Sequence, residues 1–194
     1  MLASSDCVMG VPDGQCGSVA VSTEIGWMHK SRRMMMAIAM AVLCGCGAAN
    51  FDGRMYRGAG FAFRVGAVPA AWRAVAVEQT LLAFRDDERR ATVAVSGRCG
   101  QDGDDVPLDA LTRHLFLHFT NRNLTSKSAF KLDGREALRT EVQAQLDGVP
   151  KHFTVVVLKK DECVYDFVCI EDGAGSEVGR SHFDRFVMGF ATLG

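Results

Sequence analysis

From Glu136 to Ile170 the chain carries three strand-like runs, and the connections between them are too short to cross a sheet. In the first run Leu138, Thr140, Val142, Ala144 and Leu146 share one side, and Arg139, Glu141, Gln143 and Gln145 share the other. That is the pattern of a strand with one wet face. Asp147-Gly148 is a hairpin dipeptide, and it leads into Lys151 to Lys159, with the apolar core Phe153-Thr-Val-Val-Val-Leu158. Lys160-Asp161-Glu162 turns the chain again into Cys163 to Ile170. A parallel partner needs a crossover of a dozen or more residues, so these runs pair as antiparallel neighbours. The expectation is a C-terminal three-strand meander.

The remaining elements complete a layered α+β plan. Gly60 to Val65 alternates as a strand does, Pro69 and Trp72 follow, and Val75 to Arg85 and Arg90 to Ser96 read as two strands across the charged turn 86–89. An acidic loop covers Gly100 to Asp105. Pro107 then opens a helix running to about Thr120, with Leu108, Leu111, Leu115 and Phe119 on one face. After a Gly/Ser loop from Asp172 to Ser176, a last helix from Val178 to Ala191 carries Phe183, Phe186, Val187 and Phe190 as a stripe. The fold class read here is α+β, an antiparallel β-sheet with a C-terminal meander, covered by helices.

Ahead of this domain lies an address. His29, Lys30, Arg32 and Arg33 form a basic region, and the apolar run Met34 to Leu43 is only about half the roughly 20 residues that cross a bilayer as a helix. Leu43-Cys44-Gly45-Cys46 resembles the bacterial lipobox, which implies diacylglyceryl attachment at Cys46, cleavage before it, and acylation of the new amino terminus. Cys44 at the variable position departs from the commonest pattern. Several acyl chains, at about 0.8 kcal/mol per buried methylene, anchor a protein lastingly where one does not. Gly47, Ala48 and Ala49 carry no acidic sorting residue, which by resemblance to enterobacterial rules implies the outer membrane, facing the periplasm. Residues 1–27 read as a disordered upstream extension, 28–45 as the signal, 46–57 as a tether and 58–194 as the single domain.

Charge excludes one class of partner. The chain carries 22 basic and 23 acidic residues for a net charge of −1, scattered without a basic stripe, so nucleic acid is not expected. Of seven cysteines, Cys99, Cys163 and Cys169 fall in the domain. Cys163 and Cys169 lie in one strand about 20 Å apart and cannot bond each other. Any bridge in an oxidising envelope therefore uses Cys99; Cys163, near a turn as Cys99 is, is favoured over Cys169, and three reduced thiols are the alternative.

Gly60-Phe-Ala-Phe-Arg-Val, Pro69-Ala-Ala-Trp72, Leu132-Asp-Gly-Arg-Glu-Ala137, Cys163-Val-Tyr-Asp-Phe167 and the Phe-rich terminal helix together resemble the PsbP-like fold. The chain also resembles short lipoproteins of the Geobacter type. The resemblance spans about residues 56–194 and rests on structural motifs. It implies an α/β/α sandwich of a kind shared by the extrinsic photosystem II subunit, a nuclear import factor that binds the GTPase Ran, and exported bacterial proteins. Binding and assembly factors are commoner than enzymes on that fold, which is a fold-level argument alone.

Candidate chemistry is sparse. His114 and His118 have the i, i+4 spacing that aligns two imidazoles on a helix, but a zinc site needs a further ligand and no His-Glu-x-x-His is present. Asp102, Asp104 and Asp105 around Gly103 lack the distal Glu of a calcium loop. Ser181-His182 are adjacent and would diverge on a helix, and no nucleophile elbow occurs. Trp72 and Phe61 read as core closures or as an exposed recognition patch. The expectation is a membrane-anchored envelope lipoprotein acting as a non-catalytic binding or assembly module. It needs no cofactor, and its partners are the bilayer through Cys46 and an envelope protein. The alternative is a small periplasmic enzyme or metal-binding protein using His114 and His118.

Overall fold

The computed structural model describes residues 49–100 and 106–193. The elements in order are β1 (Asn50–Phe51), β2 (Met55–Gly58), β3 (Phe61–Arg64), β4 (Trp72–Ala74), β5 (Leu82–Asp86), β6 (Ala91–Cys99), α1 (Leu108–His114), β7 (Thr120–Leu132), β8 (Arg135–Leu146), β9 (Val149–Lys160), β10 (Cys163–Asp172), α2 (Glu177–Met188) and β11 (Ala191–Thr192). Among the described residues they form a seven-stranded antiparallel sheet, β4-β5-β6-β10-β9-β8-β7, and a small sheet, β1-β2-β3-β11.

The meander runs through four strands, β7 to β10. Its hairpins turn on Asp133-Gly134, Asp147-Gly148 and Asp161-Glu162, all with positive φ. Positive φ at both central residues matches the right-handed twist of the flanking strands. The turn residues thereby set register: Leu132 faces Arg135, Leu146 faces Val149, and Lys160 faces Cys163.

Alternation along β9 divides the core between the sheet's two faces. Phe153, Val155 and Val157 point to one side with Val142, Ala144 and Val164, where Leu111 of α1 and Phe116 pack on them. Val156 and Leu158 point to the other, with Phe167, Val93 and Val95, beneath Phe183, Phe186 and Val187 of α2 and Phe63 of the small sheet. Each fully buried Phe here contributes about 2–3 kcal/mol relative to exposure. Trp72 belongs to this second core, its ring 5.5 Å from Phe186 and 5.8 Å from Phe84.

Four expectations are corrected. The tether expected over 46–57 is inside the fold from Asn50, because Tyr56, 3% exposed, stacks on Phe63 at 4.9 Å. The strand expected over 75–85 begins only at Leu82; residues 75–81 form the loop of the β4–β5 hairpin, closed by Thr80 Oγ1 donating to the Val77 carbonyl. The helix expected to reach Thr120 ends at His114. Leu115, Phe116 and Leu117 then donate to carbonyls three residues back, a tighter winding that brings both Phe116 and Phe119 onto Phe153. The last helix stops at Met188 because the chain crosses Gly66 there: a Cβ at Gly189 would lie 2.3 Å from Gly66 Cα. Ala191–Thr192 then pairs with β3.

Candidate functional site

Of the residues singled out in the sequence, Cys46, Asp102, Asp104 and Asp105 lie outside the described residues. Cys99 and Cys163 stand directly opposite across β6 and β10, disulfide-bonded with Cα atoms 4.0 Å apart. The adjacent Gly100 donates to the Glu162 carbonyl, so Cys99 and Cys163 are the closely spaced, non-hydrogen-bonded kind of cross-strand pair. Cys169 is free and buried, and burial pushes its thiol far above the ordinary range. His114 and His118 are both exposed, and the tight turns after α1 rotate them apart. No group of three metal-ligating side chains occurs among the described residues. Trp72 is buried and Phe61 packs edge-on against Tyr165.

Two polar arrangements lie beyond what the sequence pattern signals. The first is internal. Glu171, 1% exposed at the end of β10, accepts from the backbone N–H and hydroxyl of Ser176, both at 3.1 Å, and Ser176 Oγ in turn accepts from Gly179 N–H at 2.8 Å. A buried carboxylate thus fastens the first turn of α2, where the helix dipole favours negative charge. His152 stands opposite Glu171 on β9, 4% exposed, with its Nε2 3.8 Å from Glu141. Gly175 makes room for both: a Cβ there would lie 2.9 Å from Glu171 Oε2 and from His152 Nδ1.

The second arrangement is a groove of about 490 Å³ between α1 and the β7–β8 ribbon. Its floor is Phe116, Val142, Thr112, Thr140 and the exposed Leu124; its rim is Asp109, Arg113, Arg122 and Lys127. Thr112 Oγ1 is spent on the Leu108 carbonyl at 2.8 Å. Thr140 Oγ1 is buried without a partner in a residue 5% exposed. Lys127 bonds Asp109, and Arg113 lies 3.4 Å from the same carboxylate. The Lys127 ammonium holds the Asp109 carboxyl below the usual range despite its partial desolvation. Arg122 donates to the Phe116 carbonyl at 3.1 Å, tying β7 to the turns after α1.

Two bulges in β7 build this wall. Thr120 faces Gln145 while Asn123 faces Gln143, and Leu124 faces Val142 while Ser126 faces Glu141. The second extra residue lets Leu124 and Lys127, three apart, face the same side as Val142 and Thr140. If these same residues paired in regular register, alternation would send Lys127 to the opposite face.

No protein-family model and no curated protein sequence matches the chain. Among solved structures it is similar to cyanobacterial PsbP (CyanoP) from Synechocystis sp. PCC 6803, with TM-score 0.52 and 16% identity over 78% of this chain and 99% of that one. It is similar to LpqN, involved in cell envelope biogenesis of Mycobacterium tuberculosis, with TM-score 0.51 and 13% identity over 71% of this chain and 88% of that one. A protein from Bacteroides thetaiotaomicron VPI-5482 gives TM-score 0.50 and 12% identity over 68% of this chain, which spans 45% of that chain's length. Identities this low carry the fold and nothing finer, and the fold is PsbP-like.

Proposed function

We propose that this chain is a lipid-anchored module of the bacterial cell envelope that binds rather than catalyses, with the groove between α1 and β7–β8 as its binding surface. The groove carries the reading: its floor is apolar, with the exposed Leu124 standing over the buried Phe116 and Val142, and charged groups, ion pairs among them, are arranged around the rim. Concave apolar sites with a few convergent polar groups are where small ligands and anchoring side chains dock. The Met28–Cys46 pattern supports the anchor, and residues 47–49, by resemblance to enterobacterial sorting rules, support an outer-membrane position facing the periplasm. The likeness to LpqN, itself concerned with the envelope, supports the compartment.

Two measurements test this. Mass spectrometry of the chain extracted from its host's membranes is expected to show an acylated amino terminus at Cys46, and Cys46→Ser is expected to release it from the membrane fraction. A chain starting upstream of Cys46, unmodified, overturns the anchor. A photo-crosslinking amino acid at Leu124 is expected to give a defined adduct in the host envelope that the same group at the exposed Val178 of α2 does not. Equal labelling from both positions, or none from either, overturns the groove as the binding surface.

A further inference from the structure

We infer that the α1–β7/β8 groove takes a single-chain anionic amphiphile, a carboxylate of the fatty-acid kind, with its apolar body on Phe116, Leu124 and Val142 and its carboxylate among Arg113, Arg122 and Lys127. This rests on the binding reading above and adds the ligand's chemistry to it.

The first support is charge complementarity. Three cations line the groove against one carboxylate, Asp109, which Lys127 and Arg113 already share. Arg122 spends one donor on the Phe116 carbonyl, and a guanidinium has five, so its fork retains capacity for a carboxylate. A carboxylate entering the rim halves the excess of two positive charges, whereas a cation would add a fourth.

The second support is the floor. Leu124 is 58% exposed directly across from Val142, and it forms an aliphatic wall over Val142 and the ring of Phe116, each 5% exposed. An isolated exposed Leu needs no explanation, but this one is aimed at the groove by a bulge, a device that recurs where a strand must redirect side chains toward a site. Thr140 Oγ1, buried without a partner among these floor residues, is the independent sign of a missing group, because a buried hydroxyl that bonds nothing keeps the full cost of its desolvation.

The third support is size. A volume of about 490 Å³ lies within the roughly 300–1,000 Å³ of small-molecule sites and suits one apolar chain rather than a folded partner's surface. The absence of a basic stripe in a chain of net charge −1 argues against extended polyanions.

The test uses the full chain carrying Cys46→Ser, so that no covalent acyl group competes, and dansyl-aminoundecanoate as a fluorescent probe below its micellar concentration. Saturable one-site binding is expected. Laurate is expected to displace the probe, and dodecyltrimethylammonium, of equal chain length and opposite charge, to do so at least about tenfold less well. Arg122→Glu/Lys127→Glu is expected to weaken the probe about tenfold or more, and Leu124→Lys to weaken it separately. All three side chains are exposed, so the variants are expected to stay folded, Leu124→Lys melting with the parent and the double variant somewhat lower because it gives up the bonds to the Phe116 carbonyl and to Asp109. No saturable binding, equal displacement by both competitors, or rim variants that bind as the parent does would each overturn the ligand assignment. If the amphiphile fails while the Leu124 crosslinker still gives its adduct in the envelope, the ligand class falls and the binding surface stands; if both fail, both fall.

Discussion

Cutting the Cys99–Cys163 bond is expected to cost the domain about 4 kcal/mol. The bond joins positions 64 residues apart, and everything between them, α1, β7, β8 and β9, lies in the closed loop. In the chain-entropy account, linking ends over a loop of that length removes about 14–15 cal/mol/K from the unfolded state, about 4.3 kcal/mol at 25 °C. Native strain or residual denatured structure lowers the measured figure, so about 2–4 kcal/mol is the range to test. The position sharpens the expectation, because β6–β10 is the seam between the β4–β6 strands and the C-terminal meander. We would compare oxidised parent with Cys99→Ser/Cys163→Ser by urea unfolding followed by circular dichroism. The double variant avoids leaving one thiol to form wrong pairs. The midpoint is expected to fall, the melting temperature to drop by about 5–15 °C, and the denaturant slope to rise as the unfolded chain expands. Non-reducing peptide mapping of the parent is expected to link Cys99 with Cys163 and to leave Cys169 unlabelled until unfolding. A loss below about 1 kcal/mol, or a peptide linking Cys99 to Cys169, refutes the reasoning.

Gly66→Ala is expected to destabilise by at least about 2 kcal/mol, because the new Cβ would lie 2.0 Å from the Arg185 carbonyl oxygen and displace the Gly66 N–H to Phe186 bond; calorimetry checks it. Glu162→Gly is expected to stabilise by about 1 kcal/mol, since Glu162 holds φ of 60° in a turn whose two counterparts carry Gly at that place; a urea midpoint that falls instead sinks the idea. Acid is expected to unfold the domain from below about pH 4. Desolvation pushes the Asp133 carboxyl up, but bonds from Lys160 and the Thr192 N–H outweigh it and hold it low, as Lys151 does for Asp172. Carboxyls lowered in the folded state bind fewer protons there than in the unfolded chain, so their contribution is whole above about pH 5 and fades as pH falls through the folded values. Urea midpoints measured from about pH 3 to 7 check the direction, and Asp133→Asn should flatten part of the acid limb.

The strands legible in the sequence are those that bury one whole face or both. In β9, Phe153, Val155 and Val157 alternate against Val156 and Leu158, so each core draws on its own register of the run, and Asp147-Gly148 supplies the turn before it. β7 is a different case. It is an edge strand, exposed along most of its length on both faces, so burial imposes no period on it, and its two bulges break what alternation remains. One signal is present: Asp133-Gly134 is the same dipeptide as Asp147-Gly148, and a two-residue turn before the strand at Arg135 requires a partner strand before it. The end of α1 is hidden for a related reason, because over little more than a turn a repeat of 3.6 residues and one of 3 place Phe116 and Phe119 almost alike.

What hides β7 from the pattern is also what makes it useful as a wall. An edge strand that is smooth, apolar and alternating invites another chain to pair with it, and lysines and bulges blunt that hazard. Lys127 and Lys131 and the two register shifts meet that need here. The same shift at Thr125, whose hydroxyl donates to the Glu141 carbonyl at 3.1 Å, turns Leu124 and Lys127 together toward Thr140 and Val142. Deleting Thr125 would therefore separate the two roles: with the extra residue gone, Leu124 and Lys127 stand two apart and still face Val142 and Thr140 by plain alternation, so anion binding and the β8–β9–β10 core should persist while the edge loses one of its bulges. Size-exclusion chromatography over a concentration series checks the protective role: the deletion variant is expected to self-associate where the parent does not, and a variant that binds the amphiphile as tightly and stays as dispersed as the parent refutes edge protection as the purpose of the bulge.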